Sequence, residues 1–329
     1  MILTIDIGNT NITFGVFDGD KLSFVSRLAT ERNRTDDQFA VEFLAVFKMH
    51  DLEPAEITGA VLSSVVPELT GKIKTAVNKV CGIESVIIAP GVKTGLNILI
   101  DNPAELGADL VAGAVGAMAR YEMPAFVIDL GTATKIYAVD EHGGYHGGTI
   151  APGVEISMKA LSGQASLLPS FSLASPPHAC ATNTIECLQS GIIFGTADMI
   201  DGMLDRFAKQ LGEPKTIVAT GGLSSYVIGY CRHNIIHDDN LLLYGLKAIY
   251  NKKINKPKLK IKYRIQFYIV YYFALHPLCG AAARRIIYVK NHKQGKDAKN
   301  RSLSRTGSPY RNHRRYDLHA DRLFEARAA

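Results

Sequence analysis

Ile5-Asp6-Ile7-Gly8-Asn9-Thr10, near the start of the chain, and Ile128-Asp129-Leu130-Gly131-Thr132-Ala133, in its middle, decide how the rest of the sequence reads. Each closes an apolar, β-branched run with an aspartate and a glycine in the same register. In the first copy the strand from Ile2 to Ile7 breaks at the glycine and resumes as the alternating Ile12-Thr13-Phe14-Gly15-Val16-Phe17. Asp18-Gly19-Asp20 then turns the chain into a third strand, Leu22 to Leu28. In the second copy Ala125 to Leu130 leads through Gly131-Thr132-Ala133-Thr134 into Lys135 to Val139, followed by a turn at Glu141 to Gly144 and another strand. A whole unit repeated about 120 residues apart implies two similar α/β domains facing each other across a cleft, where ligands usually sit.

Between and after the copies the pattern stays mixed. Asp36 to Met49 and Leu69 to Val80 carry apolar residues at helical spacing, Ala60 to Val66 reads as a buried strand ending at Pro67, and Ile185 to Ile200 reads as a helix. The body's pattern stops near residue 255, which divides the chain into 1–117, 118–255 and a tail, 256–329. Charge divides it in the same place. The first 255 residues carry 19 Lys and Arg against 27 Asp and Glu, and the tail 18 against 4, so the overall net charge of +6 describes neither part. The tail holds a 15-residue run rich in Tyr, Phe and Ile and then an aperiodic Lys, Arg, Ser, His and Gly segment, a composition that favours disorder. It reads either as an appended segment or as an attachment to nucleic acid or another anionic surface.

At 329 residues and 47% hydrophobic, with no apolar run long enough to span a bilayer, the chain reads as a soluble protein without a membrane partner. MILTIDIGNT has neither a basic leader nor a small-residue cleavage site behind it, which points to the cytoplasm. Cys81, Cys180, Cys187, Cys231 and Cys279 are odd in number and never in C-x-x-C spacing, the pattern of reduced structural thiols.

The chemistry sits at the repeated turns. Gly8 and Gly131 lack a Cβ where backbone N–H groups would approach phosphate oxygens, and two such turns facing each other can grip a triphosphate. Asp6 and Asp129 then have two natural jobs, holding Mg²⁺ directly or through water, and holding another cation that offsets triphosphate charge; the plainer reading is that each caps its turn. Asp109 stands just inside the start of the small-residue helix Leu110 to Ala117, either as an ordinary N-terminal acid or as a general base for an attacking hydroxyl. That helix has the composition to pack closely on a sheet or on a second copy of itself. Gly147-Gly148-Thr149-Ile150-Ala151-Pro152-Gly153 and Ala219-Thr220-Gly221-Gly222-Leu223 read as two more glycine turns, with Gly221 and Gly222 placed to lie flat against a nucleotide. Thr184 opens a helix and is either its start or a ligand contact.

DIGNTNITFG, DNPAELGADLVAGAV, DLGTATKIYAVD, GGTIAPG, NTIECLQSGIIFG and ATGGL, in this order over residues 1–255, closely resemble the type III pantothenate kinases. The resemblance implies duplicated ribonuclease-H-like domains of the acetate kinase, sugar kinase, Hsp70 and actin superfamily. It implies phosphorylation of pantothenate by ATP to 4′-phosphopantothenate, the first step of coenzyme A biosynthesis, by a homodimer using Mg²⁺ and a monovalent cation, K⁺ or NH₄⁺. Carried onto this sequence, Asp6, Ile7, Gly8, Asn9, Thr10, Asn11, Ile12 and Thr13 would form the ATP phosphate segment, with Thr132 a further contact. Asp129 would hold the monovalent cation, and Asp6 would reach Mg²⁺ through water. Ile100, Gly107, Ala108, Asp109 and Leu110 would line the pantothenate site, with Asp109 the proton acceptor and Thr184 a substrate contact.

Four places depart from the family's pattern. Ile100 stands where Tyr is common, Leu110 where Arg is common, Lys135 where Thr is common, and Gly163-Gln164 where Ser-Arg is common. None removes a carboxylate, and a lysine at 135 could supply local positive charge. The alternatives are a kinase of the same architecture for another small alcohol, and a non-catalytic nucleotide-binding regulator.

Overall fold

The chain begins with a hairpin because its first two apolar runs are separated by only three residues. β1 (Ile2–Ile7), β2 (Asn11–Asp18) and β3 (Lys21–Ala29) form an antiparallel meander. α1 (Asp36–Met49) follows, opened by a Thr35–Gln38 capping box, and then β4 (Gly59–Ser64), which lies parallel to β1. α2 (Pro67–Cys81) starts on a proline and stops at Gly82, which takes the left-handed φ of 67°. β5 (Ser85–Ile87) completes a sheet of order β3-β2-β1-β4-β5. The computed structural model describes residues 1–164 and 168–254. The basic tail and Cys279 lie outside the described residues.

The second half contains β6 (Asn97–Ile98), α3 (Ala108–Arg120), β7 (Ala125–Leu130), β8 (Ala133–Val139) and β9 (Gly144–Pro152). α4 (Val154–Gln164), α5 (Thr184–Leu211), β10 (Thr216–Thr220), α6 (Ser224–Val227), β11 (Ile236–His237) and α7 (Leu241–Ile254) follow. Its sheet runs β11-β10-β7-β8-β9-β6. Read from β9, the order β9-β8-β7-β10-β11 repeats that of the first sheet, strand for strand and direction for direction, with β6 added outside β9. The fold is a duplicated ribonuclease-H-like α/β architecture.

Side-chain alternation gives each sheet two apolar faces. Leu3, Ile5 and Ile7 of β1 pack with Phe39, Phe43 and Phe47 of α1 and Leu69 and Ile73 of α2. Phe126, Ile128 and Leu130 of β7 pack with Ile192, Ile200 and Leu204 of α5. The opposite faces of both sheets close on one helix pair, α3 and α7. Each fully buried Ile, Leu or Phe in these clusters contributes about 1.5–3 kcal/mol.

The small residues of α3 are used inside the chain, against α7. A Cβ on Gly116 would stand 2.2 Å from the Leu241 carbonyl oxygen, and one on Gly245 would stand 1.8 Å from that of Ala112. The two backbones touch. Of the two glycine turns expected, the first is strand instead: Gly147 to Pro152 belongs to β9, and Gly153 leads into α4. Its glycines allow close packing, since a Cβ on Gly148 would lie 2.2 Å from the Ile136 carbonyl oxygen and one on Gly153 would lie 2.2 Å from that of Thr132.

Candidate active site

Strand alternation turns Asp6 away from Ile5 and Ile7, and Asp129 away from Ile128 and Leu130, so both carboxylates leave the outer cores and face the interior. Sheet register then sets their neighbours. Across the first sheet one row runs Ser63, Asp6, Thr13, Arg27, and across the second Thr220, Asp129, Lys135, Ile150. The rows meet at a cavity of about 510 Å³ between the sheets. Its wall includes Asp6, the Gly8 to Asn11 turn, Thr13, Asp109, Asp129, Gly131, Thr132, Gly221 and Gly222. At the tips of the two hairpins the hydroxyls of Thr10 and Thr132 are 3.2 Å apart.

The third carboxylate arrives from the central helix. Gly107 caps α3, and Asp109 in its first turn lies where unpaired N–H groups favour negative charge. Leu110 N donates to Asp109 Oδ1 at 2.8 Å, and Lys135 Nζ donates to Asp109 Oδ2 at 2.7 Å. The same ammonium donates to Asp129 Oδ2 at 2.8 Å. Asp6 has a neutral partner, the Ser63 hydroxyl, which donates to its Oδ1.

These surroundings change how the groups titrate. Burial, opposed by the Ser63 hydrogen bond and reinforced by the charges of Asp109 and Asp129, pushes the Asp6 carboxyl up to about 7. Burial also raises Asp129, with Lys135 pulling against it. For Lys135 itself burial favours the neutral amine, but the charges of Asp129 and Asp109 outweigh it and hold the ammonium above the ordinary lysine range.

Gly221 reaches the cavity for a geometric reason. Its φ is +98°, and a Cβ there would lie 2.6 Å from the Leu130 carbonyl carbon, so the turn after β10 lies flat on the end of β7. The Gly8 amide is used within its own turn, donating to the Asn11 carbonyl at 3.0 Å. That amide is therefore already taken up by the turn itself. Ile7 and Ile12 are fully buried in the outer core and offer the cavity no side chain.

Ile100, Gly107, Ala108, Leu110 and Thr184 do not line the cavity. Ile100 and Leu110 pack on the cluster around Tyr137 and Tyr145, and Thr184 is exposed at the first turn of α5, with Asn183 as its cap. Arg27, Glu155 and Asp239 line the cavity without having been expected there. Arg27 was legible in principle: with the turns located, the register of β2 and β3 puts it beside Thr13.

A duplicated ribonuclease-H-like fold that brings two aspartate-bearing glycine hairpins and a helix-terminal carboxylate to one cavity defines a class, the phosphotransferases of the actin-like ATPase fold. The family model for type III pantothenate kinase matches residues 2–206. A type III pantothenate kinase of Exiguobacterium sp. is 39% identical over 253 residues, covering 77% of this chain and 99% of its own length. One of Myxococcus xanthus is 41% identical over 252 residues, covering 77% and 98%. The crystal structure of a conserved Baf family protein from Campylobacter jejuni shares the fold at a TM-score of 0.51 and 21% identity, covering 77% of this chain and 99% of that one. The chain belongs to the type III pantothenate kinase family.

Proposed function

We propose that ATP lies across the cavity with its phosphates between the Gly8 and Gly131 hairpins, and that Asp109 accepts the proton of the pantothenate hydroxyl as it attacks the γ-phosphorus in line. The reaction is that of the family, ATP-dependent phosphorylation of pantothenate in coenzyme A biosynthesis. One observation carries the reading: Asp109, at the start of the central helix, shares a single cavity with both hairpins. Gly107 to Leu110, with Ile100 and Thr184, belong to the pantothenate side of this scheme, and Thr132, Gly221 and Gly222 to the nucleotide side.

Kinase chemistry of this class uses a divalent metal with ATP, and Mg²⁺ is the ion we assign. The residues fit it loosely. Among the described residues no three His, Cys, Asp or Glu converge at metal-ligand spacing, so the ion would rest on the phosphates and on Asp6 through water. Bound there, it would neutralise charge developing on the phosphates. A free K⁺ or NH₄⁺ at Asp129 does not fit, because Oδ2 of Asp129 and Oδ2 of Asp109 both accept from Lys135.

The remaining parts of the reading are a division of the body at 117/118, a homodimer and a cytoplasmic location. The dimer is supported by the exposed Ile150 of β9, Ile156 and Leu161 of α4 and Ile185 of α5. Among the described residues no helix is long and apolar enough to cross a membrane. The acidic balance of the first 255 residues disfavours nucleic acid as a partner of the body. ADP release measured with ATP and Mg²⁺, with and without pantothenate, tests the function: release that depends on pantothenate supports it, and a folded protein that releases none overturns it.

A further inference from the structure

We propose that the Lys135 ammonium is a tethered cation of the cleft, standing between Asp129 and Asp109 in place of a dissociable monovalent ion. The inference rests on the kinase reading for its functional consequence but on geometry for its substance. Lys135 is the cross-strand partner of Asp129, so the β7–β8 register holds the two side chains on one face. From there the stem reaches the start of α3, and Nζ lies 2.8 Å from Asp129 and 2.7 Å from Asp109. The Lys135 side chain is 19% exposed and the two carboxylates 14% and 13%, so water screens this arrangement poorly.

Charge explains why something must stand there. Asp6, Asp109 and Asp129 line one cavity, and Asp109 and Asp129, both within 2.8 Å of a single nitrogen, would repel strongly without it. A monovalent ion held by two carboxylates would relieve this at the cost of being captured from solution. An ammonium on a strand is already present, and its occupancy does not depend on salt. Lys135 thereby also positions Asp109: with Leu110 N on Oδ1 and Lys135 on Oδ2, the carboxylate of the base is held at both oxygens. A lysine ammonium has three donors, two are taken by these carboxylates, and the third remains for an oxygen of the transferring phosphate.

The test compares the wild type with Lys135→Thr in KCl, NH₄Cl and tetramethylammonium chloride at equal ionic strength, by thermal melting and by pantothenate-dependent ADP release. The wild type is expected to melt alike in the three salts and to keep its kcat/KM within about twofold. Lys135→Thr, with two facing carboxylates and an open space, is expected to melt at least about 2–4 °C higher in NH₄⁺ or K⁺ than in tetramethylammonium. It is also expected to lose about 100-fold in kcat/KM in tetramethylammonium and to regain about tenfold with NH₄⁺. A wild type that needs K⁺ or NH₄⁺ overturns the proposal, as does a folded Lys135→Thr indifferent to the cation in both readouts. If Lys135→Thr does not fold, the wild-type arm alone decides. If no salt gives pantothenate-dependent release, the kinase reading fails, and melting still decides whether Lys135 replaces an ion.

Discussion

The two sheets bring the same row of four strands to one cleft and fill it with different chemistry. In the first row Asp6 is flanked by the hydroxyl residues Ser63 and Thr13, with Arg27 one strand further out. In the second Asp129 is flanked by Thr220 and by a lysine that neutralises it. Duplication supplied two equivalent carboxylate positions, and the residue on the neighbouring strand separates their roles. The first carboxylate accepts from a neutral hydroxyl, while the one beside Lys135 is part of an ion cluster with Asp109.

The largest effect should come from removing the carboxylate that the second row holds in place. Asp109→Asn is expected to lower turnover about 1000-fold while ATP affinity, measured by equilibrium binding, changes by less than about threefold. Making the rows alike is the next most severe change. Thr13→Lys would set an ammonium beside Asp6 and compete with the divalent ion, and kcat/KM is expected to fall about 100-fold across a Mg²⁺ titration.

Asp6→Asn sharpens the contrast through pH. The folded-state value of Asp6 is about 7, raised above the ordinary 3.8 chiefly by burial, so the unfolded chain releases this proton more readily. The stability associated with Asp6 is therefore full below about pH 4 and is lost as pH rises through 7. In the nucleotide-free protein, Asp6→Asn should match the wild type near pH 4 and exceed it by about 2 kcal/mol at pH 8 in denaturant melts, the full shift being discounted for partial exposure. The smallest change is Arg27→Ala, which removes the outer charge of the first row. It is expected to raise the KM for ATP about 5- to 10-fold with little change in kcat.

Much of this was legible because it is local. The apolar strand before Gly8, the alternating strand after it, the helical spacing of Leu69 to Val80 and the aspartate–glycine pairs are written in nearby positions. The stretch Gly147 to Gly153 misled because glycine serves a turn and a tightly covered strand equally well, and only Ile136 and Thr132 beside it distinguish the two. The small residues of α3 signalled close packing without naming the partner, since Gly245 lies more than 120 residues downstream. Lys135 was visible as a departure and Asp129 as a candidate ligand, but their pairing depends on a hairpin register that the residues alone leave to the turn.

The sequence by itself determined the repeat, the leading strands of each copy, several of the helices, and which aspartates and glycines end the two leading strands, because periodicity and turn chemistry act over a few residues. Only the tertiary structure decided that Asp6, Asp109 and Asp129 line one cavity, that Lys135 occupies the place between two of them, and that α7 closes on α3 between the sheets. Those outcomes join residues from distant parts of the chain, and they follow from how two twisted sheets pack around one pair of helices.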